Sequence, residues 1–138
     1  VDVVVDVGGS FTDGSNPMAT GTQFTPTSPV RIKDTRISGD TLRPNSTLTV
    51  PVAGVSGVPA SGVTAAVTNA TVTNTTQPSF LTVWPTGVTR PLASDLNWVA
   101  GETVPNLVVA TLGSDGAVQV FNAAGSVDVI VDVSGWYA

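Results

Sequence analysis

The 138 residues predict an all-β fold, a β-sandwich of antiparallel sheets of jelly-roll or immunoglobulin-like kind, with about nine or ten strands and almost no helix. Three observations carry this expectation. Valine and threonine together make up about a third of the chain, and β-branched side chains suit a pleated surface better than a helix. Fourteen glycines and ten prolines supply turn formers along its whole length. Short apolar runs, set apart by Gly, Pro, Asn and Ser, recur at intervals of about 8 to 12 residues, the spacing of a sandwich or barrel.

The segments follow in order. Residues 1–7 (VDVVVDV) alternate like a strand, whereas residues 8–20 hold no periodic apolar pattern and read as a linker or long loop. Strands are expected over 21–25, 29–33, 47–53, 62–74, 79–84, 95–99, 104–112, 116–122 and 127–133. In the second of these, Val30 and Ile32 face one way and Arg31 and Lys33 the other. In 79–84, Phe80, Thr82 and Trp84 share one face and Leu81 and Val83 the other, so this strand should be covered on both sides. Residues 113–116 (GSDG) and 122–126 (NAAGS) are tight, turn-rich connections, which makes the last three strands consecutive antiparallel hairpins. The closing strand puts Val127, Val129, Val131 and Val133 on one face, and Asp128, Ile130 and Asp132 on the other. Each of those carboxylates needs a cation or backbone donors once it is covered.

An internal repeat organises the chain. Residues 1–11 (VDVVVDVGGSF) and 127–137 (VDVIVDVSGWY) align without gaps, with seven of eleven positions identical and two more conservative. Residues 1–11 therefore read as the terminal strand of a preceding repeat, or as a donor strand for a neighbour's sheet edge. Residues 12–28 lead as a linker into the main module, 29–138, and the whole is expected to be one folded unit. The first residue is not Met and no signal-peptide pattern opens the chain, which suggests a processed or excised piece of something larger.

Composition excludes much chemistry. There is no cysteine and no histidine, hence no disulfide framework, thiolate nucleophile, zinc-finger site or Ser-His-Asp triad. A net charge of −5 with only five bases argues against a nucleic-acid surface, and no apolar run is long enough to span a membrane. At 13.9 kDa about two thirds of the surface can be buried, enough for one domain without staples.

Four constellations remain. Asp128 and Asp132 share a face, but four strand residues span roughly 13 Å, too far for either glycosidase geometry; no catalytic site and no enzymatic activity are expected. Arg31, Lys33, Arg36 and Arg43 fall within 13 residues and could form an anion patch. Structural pairing fits better, with Arg31 or Arg36 making a two-point contact to Asp34, Asp128 or Asp132. Trp84, Trp98, Trp136 and Tyr137 are the candidate ligand-binding residues, offering flat faces for sugar rings; the alternative is that each plugs an end of the core. Calcium is the one cofactor the oxygen-rich composition leaves open, yet no DxDxDG loop occurs, and Asp13-Gly14 and Ser114-Asp115-Gly116 read more simply as turns.

Taken in order, PVRIKDTR (29–36), VAG (52–54) with GVP (57–59), AAVTNATVT (65–73), FLTVWP (80–85), SDLN (94–97), VPNLV (104–108) and DVSGWY (132–137) resemble a β-rich module of secreted and cell-surface proteins of actinobacteria and neighbouring phyla. That module is often in tandem and sometimes appended to hydrolases. The resemblance covers most of 29–138 and implies an extracellular, non-catalytic setting, with no ligand or active site to carry over. The expected function is a structural or adhesive repeat whose partners are neighbouring copies of the same module. A carbohydrate-binding module, with glycan as partner, is the alternative.

Overall fold

A computed structural model describes residues 1–11, 15 and 21–138. Eight strands form among the described residues: β1 (Phe24–Asp34), β2 (Ser46–Pro51), β3 (Ala65–Thr73), β4 (Ser79–Pro85), β5 (Leu96–Trp98), β6 (Val104–Thr111), β7 (Ala117–Asn122) and β8 (Asp128–Tyr137). A single turn of helix, α1 (Thr35–Ser38), follows β1. The strands make two antiparallel four-stranded sheets, one ordered β1-β8-β3-β6 and the other β2-β7-β4-β5. The chain is a β-sandwich.

The core lies between the sheets and is built from the alternate residues of each strand, Val50, Ala66, Ala70, Val72, Leu81, Val118, Val120, Val129, Val131 and Val133 among them. It is filled closely enough to leave a void of only about 10 Å³. Val30 and Ile32 of β1 lean against it, as their alternation predicts. β4 is covered on both faces. Leu81 and Val83 turn to the core, while residues 86–95 fold over the outer side, where Thr82 Oγ1 donates to Ala93 O (2.7 Å) and Trp84 Nε1 to Val88 O (3.0 Å).

Three expectations are corrected. The segments 21–25 and 29–33 belong to one long strand, β1, which begins at Phe24 inside the expected 12–28 linker. Pro26 and Pro29 are tolerated because β1 is an edge strand, and the register shifts between Pro26 and Val30 absorb the irregularity. The last three strands are not consecutive hairpins: β6 pairs with β3, β7 crosses to the other sheet, and β8 returns to pair with β1 and β3. The tight connections are corners between layers. At the first, Gly113 N–H donates to Ala117 O (2.9 Å), and Gly116 stands at φ 73 with Ala53 so close that a Cβ would come within 2.5 Å. Finally, β8 does not stop at residue 133 but continues to Tyr137. Its register shift falls between the pairs Val67↔Gly135 and Thr68↔Val133, which leaves Ser134 as the extra residue of a bulge.

Residues 1–11 form no strand, and all are exposed. At the far end of the β1–β8 pair, Gln23 and Ala138 exchange both backbone hydrogen bonds at 3.1 Å.

Candidate functional site

Residues 31–41 form a charged seam against β8. Arg31 stands directly opposite Asp132 in the β1–β8 ladder, so its guanidinium spans one strand spacing. It holds Asp132 at two points, Nε to Oδ1 at 2.9 Å and Nη2 to Oδ2 at 3.3 Å, and donates Nη1 to Asp34 Oδ2 at 3.2 Å. Asp34 is also the N-cap of α1, accepting from the Arg36 backbone N–H at 3.2 Å. The Arg36 side chain closes on the same carboxylate through Nε (2.9 Å) and Nη2 (2.6 Å). That side-chain contact, working against burial and aided by the charges of Arg36 and Arg31, holds the Asp34 carboxyl down at about 2. Lys33 Nζ meets Asp40 at 2.5 Å, and this bond, with one from Ser38, lowers the Asp40 carboxyl as well.

Asp128 is met differently. It is buried, and it accepts from Thr35 Oγ1 (2.9 Å), Thr41 Oγ1 (2.6 Å) and Asn74 Nδ2 (2.8 Å). Burial pushes its carboxyl up, but the bonds from Asn74, Thr41 and Thr35 and the field of Arg36 outweigh it, and the net shift is downward. Thr35 Oγ1 accepts in turn from Val129 N–H at 2.9 Å, so α1 is locked to β8 through one hydroxyl. The arginines thus serve Asp132 and Asp34, while neutral donors serve Asp128. Sequence reasoning missed Thr35, Thr41 and Asn74. The one signal was Asn74 at the end of a strand-like run, where it takes φ 52, a left-handed conformation that Asn tolerates. Asp128 is buried and Asp132 partly exposed, and both are engaged in bonds within the fold.

The aromatic candidates separate. Trp84 and Trp98, on the second sheet, are 6% and 5% exposed, and Trp98 Nε1 donates to Gln77 O at 3.1 Å. Trp136, opposite Ala66, packs against the core. Trp98 belongs to the core and Trp136 is partly buried against it, whereas Trp84 is buried on the outer face of β4, where its Nε1 donates to Val88 O. Tyr137, on the opposite side of the strand from Trp136, is half-buried and packs at a tilt against Phe24 (centroids 5.2 Å apart) and Phe11 (6.4 Å). Neither phenylalanine was singled out by sequence. Phe24 lies over Gly135, where a Cβ would come within 2.5 Å of its ring and 2.7 Å of Thr25 O.

Beside this cluster a groove of about 480 Å³ runs between residues 8–11 and the outer face of β3 and β6, with Thr64, Val109, Thr111 and Tyr137 on its walls. Leu107 and Val109, on the same face of β6, are 65% and 43% exposed.

Two further acids hold backbone in place. Asp115 accepts from Thr86 Oγ1 and from Ala117 N–H (3.2 Å), which makes 114–116 a turn. The Asp95 carboxyl is pushed up by burial, partly offset by the Val83 N–H (2.7 Å) and raised further by the charge of Asp6. Among the described residues no group of three acids gathers to hold a metal; Asp13 lies outside them. No helix among the described residues is long and apolar enough to cross a membrane. The chain matches no protein-family model and no curated protein.

Proposed function

We propose that the chain is a non-catalytic, extracellular structural or adhesive module of a bacterial surface or secreted protein, working beside further copies of itself. The observation that carries this reading is that residues 1–11 repeat the closing strand of the fold, the pattern expected where modules follow one another in tandem. The commitment of the seam acids to internal bonds supports it, since it leaves them to stability rather than to chemistry. The exposed Leu107 and Val109 give the first sheet an apolar outer face of the kind that meets another surface. The extracellular setting rests on the family resemblance. Sedimentation and electron microscopy of the full chain over a concentration range test the reading. Ordered multimers with no signal on a glycan array support it; a chain that stays monomeric and binds glycan overturns it.

One observation favours a second reading, a carbohydrate-binding module. Tyr137 and Phe11 stand beside the 480 Å³ groove together with the hydroxyls of Thr22, Thr64 and Thr111, an aromatic and polar combination suited to a sugar ring. Glycan-array binding that disappears in Tyr137→Ala favours this alternative.

A further inference from the structure

β8 occupies a slot between β1 and β3, and the slot makes definite demands. It requires apolar residues at Val127, Val129, Val131 and Val133, none more than 4% exposed. It requires a carboxylate at Asp128, for Thr35, Thr41 and Asn74, and another at Asp132, for Arg31. It requires glycine at 135, under the Phe24 ring, and an aromatic ring at 137 to pack against Phe24. Residues 1–11 meet every demand in the same order: Val1, Val3, Val5 and Val7, then Asp2 and Asp6, then Gly9, then Phe11. Gly8 falls at the bulge position of Ser134, where a permissive backbone is an advantage. Yet in the structure these eleven residues are exposed and unpaired as a strand.

The connection also fits. Tyr137 pairs with Phe24 in the antiparallel β1–β8 ladder, so Phe11 in its place would be joined to Phe24 by residues 12–23 alone, a hairpin with a long, twelve-residue loop. The Phe11 ring already lies 6.4 Å from that of Tyr137. A tether this short gives an effective concentration on the order of millimolar, which favours the chain's own slot over a neighbour's.

We propose that residues 1–11 are a second strand for the β8 slot of their own chain, so that one slot has two occupants drawn from opposite ends of the sequence. The two are unequal. Ser10 stands where Trp136 packs on the core, and Val4 where Ile130 is buried, so β8 wins and the first strand waits outside. When β8 is weakened the first strand enters, and the sandwich closes in permuted order. The proposal goes beyond the adhesive reading and stands without it, because it concerns a single chain whether or not copies associate.

The test uses the full chain. Val3→Asp alone leaves the melting temperature unchanged, since Val3 is exposed. Val129→Asp, which puts a charge in the core, still melts cooperatively at a lowered temperature, because residues 1–11 replace β8. The double variant V3D/V129D loses cooperative melting altogether. The chain has no native cysteine, so D6C/N69C placed in the V129D background reports the docked register directly: Asn69 is the partner of Asp132, and a disulfide within one chain is expected. Loss of folding in V129D as complete as in the double variant overturns the proposal. So does absence of the disulfide, or its appearance only between chains.

Discussion

Asp128 and Asp132 lie four residues apart on one strand and are stabilised by different means. At Asp132 the partner is Arg31, 48% exposed at its side chain, and solvent screens the pair. Arg31→Met is therefore expected to cost at most about 1 kcal/mol in chemical denaturation, even with two-point geometry. At Asp128 three donors converge on a buried carboxylate, and Asp128→Ala strands Thr35, Thr41 and Asn74 together, costing about 3 kcal/mol in the same measurement. Gly135→Ala belongs beside these, since its Cβ would meet the backbone oxygen of Thr25 as well as a ring that can swing; about 2 kcal/mol of overpacking is expected. For Asp132 the sequence offered an arginine partner, because an alternating strand states which residues face outward and unlike charges suggest each other even 101 positions apart, but it left open whether Arg31 or Arg36 met Asp34, Asp128 or Asp132. The Asp128 site was not legible, because its donors are neutral threonines and an asparagine, which no charge marks out among the many in the chain.

At the level of elements, the junction of β1 and α1 depends on pH. The Asp34 carboxyl sits at about 2 in the folded chain against an ordinary 3.8. A carboxyl depressed by folding contributes stability that is full above its unfolded value and is lost as pH falls through its folded value. Asp40, Asp115 and Asp128 are lowered too, while Asp95, raised by burial, acts in the opposite sense. The melting temperature should hold from neutral pH to about 4 and fall steeply toward pH 2, and Arg36→Met should flatten part of that fall. The helical turn itself escaped the sequence, being too short for periodicity to register, although Asp34 as N-cap and Gly39 at φ 77 mark both its ends. The strands were legible because a half-buried strand alternates. Their partners were not: a Gly-Ser turn looks alike whether it joins neighbours in one sheet or steps across the sandwich, as 113–116 does.

Across the whole molecule the fold closes on its last strand. β8 sits second in its sheet between β1 and β3, so the native partner of residues 24–34 is residues 128–137, about a hundred positions along the chain. So long-range a topology is expected to refold in milliseconds to seconds by stopped-flow fluorescence of the buried Trp84 and Trp98. The fold class was readable from composition and spacing alone, whereas the division of strands between sheets came only with the three-dimensional pairing.

The double bond between Gln23 and Ala138 has a mechanical meaning. It places the start of β1 and the end of β8 side by side. Tension applied through residues 23 and 138 loads the β1–β8 ladder one hydrogen bond at a time, as a zip is drawn, and not in parallel, as in shear. In an optical trap, handles at those positions should open the module at a much lower force than handles at residues 24 and 128, which pull β1 and β8 past each other lengthwise. In the tandem arrangement proposed above, such units would give length under load, absorbing a pull by opening in succession while the connecting chain stays whole.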